Sequence, residues 1–381
     1  MAIKTVSELS QLGPFRFDSA EAVRISIPMH EPFRISSGEV SCKEAILLRI
    51  SDGDAFGWGE SSAMPGAFYS NDTPDSCEQQ LIQAIPDLIG REFSTILALE
   101  TELRRRALSP FVRVAFECAA WELLARKQNI SLRELFGLPQ QDVETGLAVG
   151  LYASIAELQS ALERYRPSDY SRLKIKIKRG QDIALVQAVR KWYGNIPLFV
   201  DANADYTESD LAIFQQLDAF GLMMFEQPFA KADVETSKKL QKSIKTPICW
   251  DEGVESANDV YQAAELDAAR IVNIKLQRVG GYLEAFRIIE ACVQKHIPVW
   301  MGTMPELGVG SAQTLALASH PACRFPTDVE PSDRWYIDDV LSPALQMNNG
   351  KLSLPPGAGL GFEIDTEAIR RFEIERWSFP Q

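Results

Sequence analysis

Five charged residues close five apolar runs at almost constant intervals: Lys176 in LKIKIK, Asp201 in LFVDAN, Glu226 in MMFEQP, Asp251 in ICWDEG and Lys275 in IVNIKL. The steps are 25, 25, 25 and 24 residues. A strand of about 5–6 residues, a helix of about 11–12 and two loops of about 2–6 fill such a step. The spacing predicts repeating βα units that each bring one charge to the same end of a parallel sheet, where such folds keep their chemistry. Three carboxylates from adjacent strands suit a hard cation, Mg²⁺ or alternatively Mn²⁺. Zn²⁺ favours His and Cys instead.

The rest of the chain extends this pattern. VETGLAVGL, RLKIKI, PLFVDA, LMMFEQP, PICWDEG, RIVNIKL, PVWMGT and a short run at Cys323–Pro326 predict eight strands, separated by helical stretches. Eight alternating units argue for a closed barrel over an open sheet. Upstream, VRISIPM, EAILLRISDG and DAFGWGESSA predict strands, with a hairpin turn at SDGD. After Pro74 the pattern turns helical, which makes the first part an α+β unit. The expected organisation is an α/β barrel over 131–344 and an α+β capping domain over 1–130. Residues 345–381, which have lost the alternation, are expected to rejoin the cap.

Bulk properties exclude other classes. A formal net charge of −13 argues against nucleic acid or an anionic membrane as partner. No apolar run approaches the roughly 20 residues that span a bilayer. The N-terminus, MAIKTVSELSQLGPF, lacks the basic and apolar regions of a secretory signal. The six cysteines form no CxxC pair and most sit in apolar contexts, as buried thiols of a reducing compartment do. A cytoplasmic enzyme acting on a small-molecule carboxylate is expected, and a homo-oligomer is compatible with everything in the sequence.

On a strand, Lys174, Lys176 and Lys178 share one face and the isoleucines the other. A half-exposed edge strand would look the same, but inside a barrel these lysines point to the axis. Crowded ammonium groups there lower each other's pKa, and a lysine near neutrality is a competent base. A single carboxylate ending a strand is more often a helix cap. Three at equal spacing repel one another and call for a cation. Asn203 and Glu252 lie beside the ligands and either orient them or face solvent. Lys275 falls four strands from Lys176, across the ring. Arg278 either presses the Lys275 pKa down or caps a loop. The N–H groups of Gly308-Val309-Gly310 suit a substrate carboxylate or a plain turn. None of the three histidines ends a strand, and no nucleophile elbow, P-loop or dinucleotide fingerprint is present.

Lys174-x-Lys176, Asp201-x-Asn203, Glu226-Gln-Pro228, Asp251-Glu252 and Asn273-Ile-Lys275 resemble, in order and spacing, the enolase superfamily in its muconate-lactonizing-enzyme-like branch. The resemblance covers nearly the whole chain and implies a modified (β/α)7β TIM-like barrel with a capping domain. It also implies Mg²⁺ on Asp201, Glu226 and Asp251, with Lys176 and Lys275 catalytic. Within the branch, Gly59-Glu60-x-x-Ala63-Met64, Tyr69-Ser70, Lys275-x-x-Arg278, Gly302-x-Met304-x-Glu306 and Ser332-x-Arg334-Trp-Tyr are most similar to o-succinylbenzoate synthases and N-succinyl (N-acyl) amino acid racemases. Met64, Tyr69, Met304 and Glu306 thereby become candidate substrate-side residues, with Lys174, Asn203, Glu252 and Arg278. The implied reaction dehydrates 2-succinyl-6-hydroxy-2,4-cyclohexadiene-1-carboxylate on the route to menaquinone. A racemase or a muconate-type cycloisomerase would use the same site. Thr303-Met304-Pro305 does not supply the Asp-x-Asp of dipeptide epimerases, and Leu276-Gln277 and Thr303 depart from the usual pattern.

Overall fold

The computed structural model describes residues 2–35, 38–66 and 70–380. Three antiparallel strands, β1 (Ser19–Ile35), β2 (Gly38–Asp52) and β3 (Ala55–Ser61), begin the first sheet. The SDGD segment turns β2 into β3, with Gly53 in the left-handed region at φ +59. Helices α1 (Pro74–Leu88), α2 (Ile96–Arg105) and α3 (Pro110–Lys127) follow, each opened by a Thr or Ser side chain that accepts a first-turn N–H. Helix α3 is buried on almost every face, because it lies between this sheet and the barrel. Gly57 and Gly59 of β3 make that possible. A Cβ at either would come within 2.0 and 1.9 Å of the carbonyl oxygens of Ala119 and Ala115.

The barrel strands are β4 (Leu147–Val149), β5 (Leu173–Lys176), β6 (Leu198–Asp201), β7 (Phe225–Glu226), β8 (Ile248–Trp250), β9 (Ile271–Ile274) and β10 (Val299–Met301). They form one parallel sheet in sequential order. The connecting helices are α4 (Ile155–Tyr165), α5 (Asp182–Tyr193), α6 (Leu211–Leu217), α7 (Val234–Ser243), α8 (Ala257–Leu266) and α9 (Tyr282–Gln294), and α10 (Gly308–Ala318) follows β10. The expected α/β barrel with an α+β cap is therefore found.

Three details differ from expectation. The run at Cys323–Pro326 is not a strand. It still closes the ring, through parallel bridges Val299↔Cys323 and Thr145↔Thr327. Pro326 has no N–H to give, so a continuous ladder cannot pass through it. The predicted first strand is split at Thr145-Gly146. Val143–Glu144 pairs instead with Lys351–Leu352, and only Leu147–Val149 joins the barrel. Finally, the late chain serves both parts: Lys351–Leu352 pairs below the barrel, and β11 (Glu373–Phe379) runs antiparallel to β1.

The lower barrel interior is packed by Phe199, Met224, Cys249, Ile271 and Trp300. All six cysteines are free thiols. No helix among the described residues is long and apolar enough to cross a membrane.

Candidate active site

Strand register sets the charges side by side. Lys176 pairs with Asp201 across β5 and β6, and Asp201 with Glu226 across β6 and β7. Asp251 follows β8 and Lys275 follows β9. Lys176 Nζ donates to Asp201 Oδ2 at 2.9 Å and to Asn203 Oδ1, while Lys275 Nζ donates to Asp251 Oδ2 at 2.8 Å. Each lysine is thus anchored on a different carboxylate, and both line one cavity. Lys178 lies beyond the strand end and is exposed, so only two lysines of the triplet enter the barrel.

Arg278 resolves its open reading. Its Nη1 donates to Asp251 Oδ1 at 2.6 Å, its Nε to Val254 O and its Nη2 to Asn273 O. It holds a carboxylate and the surrounding backbone. Asn203 accepts from Lys176 and lies 3.4 Å from Glu252 Oε1, so both neighbours of the ligands turn into the site. Met304 and Met64 line the cavity, together with Phe33 from β1 and Trp335. Glu306 stands behind that wall, where its Oε1 accepts the Met304 N–H at 3.0 Å. Tyr69 and Phe68 lie outside the described residues.

The expectation for Lys174 is reversed. Burial opposes its charge, yet Asp201, Asp328, Glu226 and Asp251 surround it and hold its pKa well above the ordinary value. Its Nζ lies 2.7 Å from Glu226 Oε2 and 3.2 Å from both Asp201 Oδ2 and Asp328 Oδ2. Among the acids, burial and the neighbouring Asp201 push Glu226 up to about 8, and burial and Asp251 push Glu252 up to about 7. Burial also works against ionised Asp201, but Lys174 and Lys176 overcome it and hold the group at about 2.

The suggestion that Gly308-Val309-Gly310 receives a substrate carboxylate is not upheld. Glu60 from β3 accepts the N–H groups of Leu307 and Gly310, both at 2.7 Å, and Asp339 accepts that of Gly308 at 2.9 Å. Protein carboxylates already fill that helix end.

Sequence reasoning gave no role to three residues, two of them inside the quoted motifs. Asn273 donates to Glu226 Oε1 at 2.9 Å; its place two residues before Lys275, on the same strand face, was the available signal. Gln227 Oε1 accepts the N–H groups of Asp251 and Gly253, tying the ends of β7 and β8 together. Asp328 lines the cavity from the irregular closing segment, where no periodicity could point to it.

Among the described residues no three acidic, histidine or cysteine side chains converge tightly enough to chelate an ion as they stand. Asp201 and Glu226 converge on the Lys174 ammonium instead. The residues nonetheless fit a divalent cation. The donors are hard oxygens, a cationic group already lies between two of them, and Glu252 Oε2 and Asn273 Oδ1 are buried with no hydrogen donor. Glu226 Oε2 has the ammonium close by but no donor aligned on it.

Comparisons with known proteins agree with this geometry. Residues 19–137 match the mandelate racemase / muconate lactonizing enzyme N-terminal domain, and residues 155–368 match the enolase C-terminal domain-like family. The chain is 35% identical over 359 residues to the o-succinylbenzoate synthase of Bacillus subtilis (strain 168), covering 94% of this chain and 96% of that protein. It is 38% identical over 348 residues to an N-succinylamino acid racemase of an Amycolatopsis species, covering 91% and 94%. A crystal structure of an enolase-superfamily member from Listeria innocua superposes with a TM-score of 0.89 at 31% identity, covering 96% and 99% of the two chains. With a cap and a barrel that each match, the chain is an enzyme of the mandelate racemase / muconate lactonizing enzyme family, within the enolase superfamily.

Proposed function

We propose that this enzyme dehydrates 2-succinyl-6-hydroxy-2,4-cyclohexadiene-1-carboxylate to o-succinylbenzoate. The observation that carries the reading is the pair of lysines, Lys176 and Lys275, lining one cavity from strands on different sides of the acidic row. Asp201, Glu226 and Asp251 would hold Mg²⁺. That cation supplies electrostatic stabilisation of negative charge on the substrate carboxylate.

Lys176 takes the proton from the carbon next to that carboxylate. The enediolate so formed concentrates charge towards Lys275, which stays an ammonium and meets it. Lys176 then returns its proton to the departing hydroxide, and the ring becomes aromatic. Asn203 steadies Lys176, and Arg278 keeps Asp251 ionised and oriented beside Lys275. Phe33, Met64 and Trp335 cover the cavity with apolar surface and keep bulk water from the intermediate.

The cyclohexadiene substrate carries two carboxylates, one on the ring and one on the succinyl arm. N-succinyl amino acids are dicarboxylates too. The two-lysine arrangement also suits their racemisation, with Lys275 reprotonating the opposite face, and the 38% identity to a racemase supports that second reading.

The deciding experiment incubates the protein and Mg²⁺ with the cyclohexadiene, follows o-succinylbenzoate, and assays an N-succinyl amino acid in parallel. Fast dehydration with slow or absent racemisation is expected. Racemisation alone would reassign the substrate, and silence on both would overturn the reading.

A further inference from the structure

A line of alternating charges rises through the barrel. At its base Arg172 is fully buried, stacked 4.9 Å from the ring centre of Phe199 and 5.4 Å from that of Trp300. Room for it exists because residue 146 is glycine: a Cβ there would lie 2.2 Å from Arg172 Nε. Among the described residues the guanidinium makes one ion pair, with Asp328, through Nη2. Asp328 Oδ2 in turn accepts from Lys174 Nζ at 3.2 Å. The same ammonium reaches Glu226 and Asp201 on its other side. It also lies 5.4 Å from the Trp300 ring centre, so its stem runs along the same aromatic wall.

Lys174 thus stands between two sets of acids that serve different purposes. Asp201 and Glu226 are needed for a metal; Asp328 is not. A divalent cation and an ammonium cannot both be neutralised by the same two carboxylates at close range without strong repulsion. The lysine has an alternative acceptor already within hydrogen-bond reach, and a buried arginine holds that acceptor in place.

We propose that Lys174 is the site's resident counter-ion, occupying the cation position between Asp201 and Glu226 until a divalent metal arrives, and that Asp328, oriented by Arg172, is the positioning residue that receives the displaced ammonium. This rests on the metal reading given under the proposed function. It adds a residue, Asp328, and a process, exchange of one internal cation for an external one. Without the lysine, Glu226 would lose the ammonium paired with it among the described residues, whereas Asp201 would keep Lys176. Without Asp328 the lysine would have nowhere charged to go.

Two variants are driven in opposite directions. Asp328→Asn removes the receiving charge, so Lys174 competes harder for Asp201 and Glu226, and the Mg²⁺ dissociation constant should rise at least tenfold. Lys174→Met removes the competitor, and Mg²⁺ should bind at least tenfold more tightly. Titration calorimetry with Mg²⁺ alone, without substrate, measures both on purified protein whose fold is checked by circular dichroism. A merely structural role for either residue would weaken binding in both variants or change it in neither, and either result overturns the proposal. Lys174→Met keeps the test decisive if Asp328→Asn does not fold, because weaker or unchanged binding in it alone refutes the exchange. Absence of Mg²⁺ binding by the unmodified enzyme would overturn the metal reading itself, so the two failures are distinguishable.

Discussion

Two sets of barrel helices begin in different ways. On the part of the ring formed early in the chain, α4 and α7 carry their own caps: Ser154 accepts the Glu157 N–H, and Asp233 accepts that of Thr236. Under the first domain, α9 and α10 have Gly281 and Leu307 at their N-caps, neither with a capping side chain. First-turn N–H groups of both are met by carboxylates from the other domain. Glu117 of α3 accepts the Leu283 N–H at 2.7 Å, and Glu60 of β3 accepts those of Leu307 and Gly310. A helix start needs an acceptor from somewhere, so these two helices are complete only when the cap is seated. The loop between β10 and α10 carries Thr303, Met304 and Pro305 into the cavity. Capping across the seam therefore also fixes one wall of the active site.

The largest expected effect separates chemistry from this docking. Asp201→Asn touches neither set of helix starts. It should lower kcat by about 10³-fold or more, since it removes charge at the reacting centre. The circular dichroism spectrum should stay that of the parent. Retained turnover in a steady-state assay would show that Asp201 is not part of the chemistry.

Glu60→Ala should act through the seam. Two buried N–H groups lose their acceptor, at about 1–3 kcal/mol each. Buried Lys43, which burial pulls down in pKa and Glu60 pulls back up, loses a partner as well. A stability loss of about 4 kcal/mol is expected in denaturant unfolding, with a raised KM as the Met304 loop loosens. A loss below about 1 kcal/mol would mean that the seam carboxylate is not what seats the cap.

Glu117 adds a pH signature. Burial, and then the charge of Glu100, push its carboxyl up to about 7 from an ordinary 4.5. The folded state then binds a proton that the unfolded state has released, so this contribution is full below about pH 4.5. It is lost as pH rises to about 7, and amounts to about 3 kcal/mol. Glu117→Gln cannot ionise. The stability difference between variant and parent should shift in the variant's favour by up to that amount from pH 5 to pH 8. A difference independent of pH would remove Glu117 from the account.

The same contrast explains what could be read from the chain itself. The row from Lys176 to Lys275 was legible because one βα unit has a nearly fixed length and strand side chains alternate with period two. Ser154 and Asp233 cap helices that start beside them in the chain, where the signal is local. Glu60 and Glu117 give no such signal, because the partners they complete lie 247 and 166 residues away. Asp328 escaped for a related reason: the segment that closes the ring contains Pro326 and has no strand period to betray which way its side chains face. Reading Gly308-Val309-Gly310 as a ligand site followed correctly from the free N–H groups of a helix start. The missing fact was that another domain had already answered them.

The smallest expected effect is the control. Asp233→Ala removes the side-chain acceptor of a helix that caps itself, where the bond to Thr236 N is 3.2 Å long and water can substitute at a partly exposed site. Such replacements cost about 1 kcal/mol. Among the described residues none of α7 lines the cavity, so KM and kcat should stay within about twofold of the parent. The informative quantity is KM, compared between this variant and Glu60→Ala. If caps matter only as local hydrogen bonds, the two stability losses should differ only by the number and burial of the bonds removed, and neither variant should disturb KM. If the cap on α10 also carries the docking of one domain on the other, Glu60→Ala should be alone in raising KM. Each outcome assigns the seam a role that the other denies it.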